Sequence, residues 1–528
     1  MNKSFIRNFS LDPENMEIKP DGIKNFFWPL KSNEIDNFKN KLLSTLENCI
    51  DGKKDMDIIK MHIPMIRKDI TNFFIAKKFS NSYLKLTNHK KKTFNTLIDQ
   101  IIFEKKISLS REINIILKGL KKKNIVLNKL KKIRSLFFKA KLSYIEKKRI
   151  NKNHIITFSN NYLIYKKSKY LNKIYQVRTS NFQDWIPSGS ISIKENLKKK
   201  KKLYYLVETV IYFLEKHNLK LNKTEKNHIE DIFYYWLALT EFFLSKLEKS
   251  RKYLPKKIWI GSAGIFYNRI FAYLVKKSGG IVYGFDHGMS TGCINTNAKN
   301  ILELSNVDYF YTFTNFMKLA IRNNFVRNKI NKNFNKKNIL KISTKSSMFF
   351  KKKISRDDRR ILYVPRMFTD INVFMGDTYL YPDIIYCDWQ IRLINYLKLL
   401  NYKINIKSHP GSKKKFPKSL SNLKNIKIIK KSFNFNKLKK DYNLLIFDCI
   451  QNTAFIESIQ TDIPIVFINT NEYQIKSKVK SSIKKRCGYV DCYINKNRIK
   501  IKKNLLTNAI KNAAALRQDK TFYSYYFK

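Results

Sequence analysis

Seven histidines occur in the 528 residues, and two of them directly follow short apolar runs that read as β-strands. His287 lies in Phe285-Asp286-His287-Gly288, after Ile281–Phe285, and His409 lies in Ser408-His409-Pro410-Gly411, after Lys403–Lys407. Open α/β sheets bind ligands outside the carboxyl ends of their strands. An imidazole there can exchange a proton near neutral pH or donate to a phosphate oxygen. Pro410 and Gly411 stop the strand and leave N–H groups of the turn open to an anion, with lysines 413–415 close behind. The plain alternative is a strand-to-helix turn with a solvated lysine cluster. His62, His89, His154, His217 and His228 fall in the helical or polar first half and have no such setting.

A third constellation is Phe447-Asp448-Cys449-Ile450-Gln451-Asn452-Thr453, followed by Glu457. Asn452 or Thr453 would cap a helix whose first N–H groups and positive dipole end favour an anion. Glu457 lies four residues beyond Thr453, on the same helix face, where it could take ribose hydroxyls while the helix start holds phosphate. Taken alone, the piece also reads as an ordinary capped helix with an exposed glutamate.

Two alternating series would position these residues. From Pro255, Lys257–Ile260 reads as a strand, Gly261-Ser262-Ala263-Gly264 as a turn, Asn268–Lys277 as a helix ended by Gly279-Gly280, and Ile281–Phe285 as a strand. That is a βαβ unit with a parallel sheet, extended by a strand at Tyr309–Phe313 and a helix from Asn315. From Arg360 a second series begins: strands at Ile361–Val364, Lys403–Lys407, Asn425–Ile429, Leu444–Phe447 and Ile463–Ile468, with helices at 383–400, near 434–440 and at Thr453–Gln460. The expectation is an α/β protein with two Rossmann-like domains facing a cleft and a largely helical N-terminal region. The divisions are 1–250 (helical, basic, part of the acceptor half), 251–345 (acceptor domain) and 355–528 (nucleotide-donor domain). Within the first, Ile125–Tyr144 reads as a basic amphipathic helix, and helices follow near 203–216 and 226–247.

Composition narrows the function classes. Net charge is +66, with 43% hydrophobic and 14% aromatic residues, which is ample for buried cores. The excess is mostly lysine, accompanied by abundant Asn, Ile, Phe and Tyr, a bias expected of an A/T-rich genome. Sequence-specific nucleic-acid readers use arginine forks at defined sites, and no such motif occurs. A basic surface still attracts polyanions, including the inner face of a bacterial membrane. The six cysteines (Cys49, Cys293, Cys387, Cys449, Cys487, Cys492) lack zinc-site spacing. No apolar signal region opens the chain, and no run reaches the roughly 18 apolar residues of a membrane span. The expectation is a cytoplasmic protein, peripheral on the membrane's inner face where it meets the bilayer.

The C-terminal series resembles the donor domain of two-domain, GT-B-type transferases that build bacterial surface polymers. These include CDP-glycerol glycerophosphotransferases, capsule Kdo transferases, polysialyltransferases and related surface-carbohydrate transferases. The resemblance rests on Ile361-Leu362-Tyr363-Val364-Pro365 with Asp370, Trp389-Gln390 ahead of Lys407-Ser408-His409-Pro410, and Asp448 through Glu457 followed by Ile463-Pro464-Ile465-Val466-Phe467. Phe285-Asp286-His287-Gly288 is similar to the His-Gly turn of the acceptor domain. Two departures stand out: Gln451-Asn452-Thr453 replaces a serine pair, and Arg366-Met367-Phe368 replaces a small polar sequence. The resemblance implies that His409, Pro410, Gly411, Asn452 and Thr453 bind donor phosphate and that Glu457 binds ribose. It also implies that His287, beside Asp286, is the catalytic base. It further implies a CMP- or CDP-linked donor and a glycan or lipid-linked acceptor. No metal or cofactor is expected, because the site supplies its own positive charge and has no carboxylate cluster of ligand spacing. Two other readings remain: a nucleotide-sugar epimerase of the same shape, and a non-catalytic basic protein that binds membrane or RNA.

Overall fold

Val, Ile, Leu and Phe dominate each short apolar run of the second half, and runs apolar on both faces form strands of parallel sheets covered on both sides. In the computed structural model they do so. The structure describes chiefly residues 32–51, 57–83, 97–102, 154–179, 197–248, 254–294, 302–342, 360–368, 383–409, 426–429 and 441–527, apart from short gaps within them. The basic helix expected at Ile125–Tyr144 and the short one near 434–440 lie outside the described residues.

The first sheet is six-stranded and entirely parallel, in the order β2-β1-β3-β4-β5-β6. Its strands are β1 (His154–Phe158), β2 (Gln176–Thr179), β3 (Lys257–Ile260), β4 (Ile281–Phe285), β5 (Tyr309–Thr312) and β6 (Ile339–Lys341). The second is also six-stranded and parallel, in the order β12-β11-β10-β7-β8-β9. It contains β7 (Arg360–Val364), β8 (Lys403–Lys407), β9 (Ile426–Ile429), β10 (Leu444–Phe447), β11 (Ile465–Asn469) and β12 (Gly488–Asp491). A small antiparallel pair, β13 (Tyr493–Asn495) and β14 (Arg498–Lys500), follows. The two-unit α/β architecture is therefore as the sequence leads one to expect.

One boundary moves. The expected division at 251 falls inside the first sheet, because β1 and β2 come from upstream of it. Between β2 and β3 the chain makes the long helices α5 (Leu197–Lys216) and α6 (Lys223–Glu248), which separate strands that end up near one another. These helices, α1 (Ser32–Ile50) and the 27-residue α2 (Asp57–Tyr83) form a helical layer. The short α3 (Leu97–Ile102) packs on α2, and α4 (Tyr162–Leu171) links β1 to β2. A single apolar core runs from Phe73 and Trp236 of that layer through Phe266 and Ile270 of α7 (Phe266–Lys277) to Ile258 and Val282 of the sheet. Gly279 ends α7 in the left-handed conformation, φ 72°, which only glycine adopts without strain.

The remaining helices are α8 (Asn315–Asn323), α9 (Asp383–Leu399), α10 (Thr453–Ser458), α11 (Ser477–Arg486), α12 (Lys503–Leu516) and α13 (Thr521–Phe527). The last crosses back to the first unit: Phe316 of α8 meets Tyr525 and Tyr526 at ring-centroid distances of 5.0 and 4.9 Å. The loops after β4 and β11 also join, through an antiparallel bridge between Ile294 and Ile475 and a bond from Lys476 N–H to the Cys293 carbonyl, 3.0 Å. Both loops leave carboxyl ends of strands, so the carboxyl edges of the two sheets share one seam. Among the described residues all six cysteines are buried and unbridged, and no helix is long and apolar enough to cross a membrane.

Candidate functional site

In each sheet the chain reverses its winding direction at one point, and such a switch point opens a crevice at the carboxyl edge. In the first sheet the reversal lies between β1 and β3. Asn161, just past β1, ties that edge together. Its Nδ2 donates to the carbonyls of Gly261, Phe285 and Asp286 at 2.9, 3.1 and 3.2 Å, and its Oδ1 accepts from Ile164 N–H at 2.9 Å, capping α4. Gly261 is required by close approach, since a Cβ there would lie 1.7 Å from the Ser159 carbonyl oxygen.

His287 stands on this frame with its side chain 54% exposed and Nδ1 3.5 Å from Glu303 Oε1. The Glu303 side chain is only 5% exposed. Its Oε2 accepts from Ala263 N–H at 2.6 Å and its Oε1 from the Ser262 hydroxyl at 3.2 Å. A carboxylate fixed in this way orients an imidazole and stabilises the imidazolium formed when the ring takes a proton. Asp286 does something else. It is buried, and its carboxylate accepts from Gly288 N–H at 3.1 Å and from the Thr291 hydroxyl at 2.7 Å. These two bonds brace the turn that carries His287. Glu303 belongs to no strand and to no motif with His287, so the sequence marks it only as an acid within the apolar run Ile301-Leu302-Glu303-Leu304.

Near the same face of the sheet, Lys167 of α4 lies over the Tyr311 ring, 3.3 Å from its centroid, with Trp259 and Phe285 at 5.5 and 5.9 Å. Burial lowers its pKa to about 8.

In the second sheet the reversal lies between β7 and β10. Beneath it Asp448 is buried and accepts hydrogen bonds from the hydroxyls of Tyr363 and Tyr386 and, at 3.2 Å, from Trp389 Nε1. Burial raises its pKa, opposed by those hydrogen bonds. Several residues that carry the family resemblance thus form an internal polar network linking β7, α9 and β10. Arg366, directly after Pro365, is also buried. Its guanidinium stacks on the Tyr386 ring at 4.0 Å, with Asp383 at 3.2 Å and Glu472 at 3.5 Å. The departure from a small polar sequence therefore places one buried guanidinium between two buried carboxylates behind Pro365.

His409 is half-buried two residues past the end of β8, and the ammonium of Lys407, the last residue of that strand, donates to the Ser408 carbonyl at 3.2 Å. Desolvation lowers the Lys407 pKa. Pro410 and Gly411 lie outside the described residues. Asn452 caps α10, its Oδ1 accepting from Ala454 N–H at 3.0 Å, while its Nδ2 reaches the Val364 and Pro365 carbonyls at 3.4 Å. Thr453 and Glu457 are half-buried on α10. Because β8 and β10 flank β7, the segments that carry His409 and Asn452 leave the carboxyl edge on either side of the strand that leads to Pro365. Among the described residues no three of His, Cys, Asp and Glu converge as a metal-binding set.

No protein-family model and no curated protein matches the chain. Among solved structures it is similar to the UDP-N-acetylglucosamine 2-epimerase of Rickettsia bellii, at 12% identity and a TM-score of 0.35, covering 71% of this chain and 93% of that one. It is similar to the Methanocaldococcus jannaschii UDP-GlcNAc 2-epimerase in complex with UDP-GlcNAc and UDP at 14% identity and 0.36, covering 70% and 93%. A third is Arabidopsis thaliana UGT89C1 complexed with UDP, at 11% identity and 0.33, covering 71% and 90%.

Proposed function

We propose that this protein is a transferase that moves a sugar or polyol-phosphate group from a nucleotide-activated donor, CMP- or CDP-linked, to a hydroxyl of a surface glycan or its lipid-linked precursor. The observation that supports this most is the pairing of an exposed His287 with a buried, doubly held Glu303 at the carboxyl edge of the first sheet. A polar pair on that frame suits proton abstraction from an alcohol better than it suits structural support, because an imidazole that only braced the loop would itself be buried.

In this reading His287 takes the acceptor hydroxyl proton, and Glu303 stabilises the resulting imidazolium. The acceptor oxygen forms a bond to the donor's reacting atom. The bond from that atom to the nucleotide's phosphate oxygen breaks, and its electron pair leaves with the nucleotide. His409 and Lys407 at the end of β8, with Asn452 and Thr453 at the start of α10, receive the growing negative charge. Glu457 takes the ribose hydroxyls. The work would be done in the cytoplasm, at the inner face of the membrane.

Transfer of labelled donor to an acceptor glycan tests the reading. His287→Ala should lower the transfer rate by roughly 10²–10⁴-fold, the usual contribution of a general base, while nucleotide still binds. A His287→Ala protein of normal activity would remove the assignment. Turnover of the nucleotide sugar without acceptor would point to an epimerase instead.

A further inference from the structure

Helix α5, Leu197–Lys216, has two unlike faces. Leu203, Leu206, Val210 and Leu214 are buried against α1 and α6. On the opposite side Tyr204, Tyr205 and Tyr212 are 67, 57 and 58% exposed. At 100° per residue, Tyr205 and Tyr212 nearly superpose along the axis and Tyr204 lies about 100° to one side, so the three rings share one outer sector. Five lysines, Lys198–Lys202, occupy the first turns of the helix. At its other end Lys216 Nζ lies over the Tyr212 ring, 4.5 Å from the centroid, and exposed Lys220 and Lys223 follow. The helix's two acids, Glu208 and Glu215, do not offset this, and Glu215 is paired with Lys226 at 2.9 Å.

Tyrosine combines an apolar ring with a polar tip and settles at the headgroup level of a bilayer. Lysines near an anionic leaflet are drawn to its phosphates. We propose that the outer face of α5 is a docking surface for an anionic lipid bilayer, with the three tyrosines at headgroup level and the lysines at both ends of the helix drawn to lipid phosphates. A convex helix face offers no groove for a polymer strand, and α5 carries no arginine for the forked contacts that nucleic-acid recognition favours. The surface is independent of the transfer chemistry and would hold whatever the cleft binds.

Co-sedimentation of the full chain tests this, using vesicles of phosphatidylcholine with and without phosphatidylglycerol. Diffuse attraction is expected from any chain of net charge +66, so the decisive variant leaves charge unchanged. Tyr204→Ser, Tyr205→Ser and Tyr212→Ser together should weaken binding to the anionic vesicles by roughly tenfold. The variant's thermal midpoint should hold, because the rings are exposed. Replacing Lys198–Lys202 with Gln should weaken binding similarly and flatten its salt dependence. A Tyr212→Trp reporter should be quenched by brominated lipid. Three results would overturn the proposal: a tyrosine variant that binds vesicles like the parent, a reporter that brominated lipid does not quench, or a variant that loses single-stranded RNA rather than vesicles.

Discussion

In the proposed reaction His287 and Glu303 divide one task between an exposed ring and a buried carboxylate, while Asp286, adjacent in sequence, braces the turn that carries His287. The two acids should therefore fail in different ways. Glu303→Gln keeps the shape and the bond from Ala263 N–H but removes the charge that stabilises the imidazolium. It should lower kcat by roughly 10-fold or more and change the pH–rate profile. Asp286→Asn should leave the profile's shape alone and lower thermal stability, as pH–rate and melting curves on both variants would establish. Asp448 is a third case. Asp448→Ala strands the Tyr363, Tyr386 and Trp389 donors in the core, each a buried group with a desolvation penalty, and should cost about 3 kcal/mol or more in urea unfolding. Unchanged stability would mean that the network does not hold β7, α9 and β10 together. Strand-end histidines could be read from the sequence because an apolar run and a Gly or Pro bracket each one. Glu303 could not, since its partnership with His287 arises only when the β4–β5 connection folds back on the edge.

Helices α2 and α6 carry a pH-sensitive interface. His62 is stacked between Trp236 and Phe266 at 5.6 and 5.0 Å, and burial, then the nearby charge of Arg269, holds it well below its ordinary value. Burial pushes His228 down to about 4 from 6.5. The buried Lys77–Glu225 pair, 2.6 Å, lies at the same interface. A histidine whose folded pKa is depressed contributes stability that is fully present above its unfolded pKa and is lost as pH falls toward the folded one. Stability should therefore drop between pH 6.5 and 4, with His228 alone accounting for about 3 kcal/mol. Melting curves across that range should be flatter for a His62→Phe, His228→Leu protein, and equal slopes would contradict this origin. At this scale strands β3, β4, β8 and β10 were readable to the residue from their apolar runs. Strands β1 and β2 were not, because each is a brief run amid lysine and asparagine and α5 and α6 part them from β3.

Among the described residues, contacts that join the two α/β units include those between the loops after β4 and β11 and the docking of α13 on α8. Tyr526, fully buried against Phe316 and Phe522, is a main contact of the second. Tyr526→Ala should cost roughly 3–5 kcal/mol, the usual range for emptying an aromatic site. The loss should appear as separation of a single unfolding transition into two, and a single unshifted transition would show that α13 is not the clasp. The two-unit plan could be read from the alternation of strands and helices, whereas the clasp could not, since Thr521–Phe527 is a short aromatic run whose partner is about 200 residues away in sequence. The charge of +66, the most conspicuous property of the composition, bears on surfaces such as α5 and leaves the cleft's chemistry to a few residues.

In the proposed function the carboxyl edge of the second sheet, at His409, Lys407 and Asn452–Thr453, holds an activated nucleotide opposite His287. Calorimetric titration of the full chain with CMP, CDP, UDP, GDP and ADP tests this binding most directly. The expected result is selective binding of a cytidine nucleotide, weakened roughly 10-fold or more by His409→Ala through loss of a charge-assisted hydrogen bond to phosphate. Absence of binding to all five nucleotides, or binding that His409→Ala leaves intact, would contradict it.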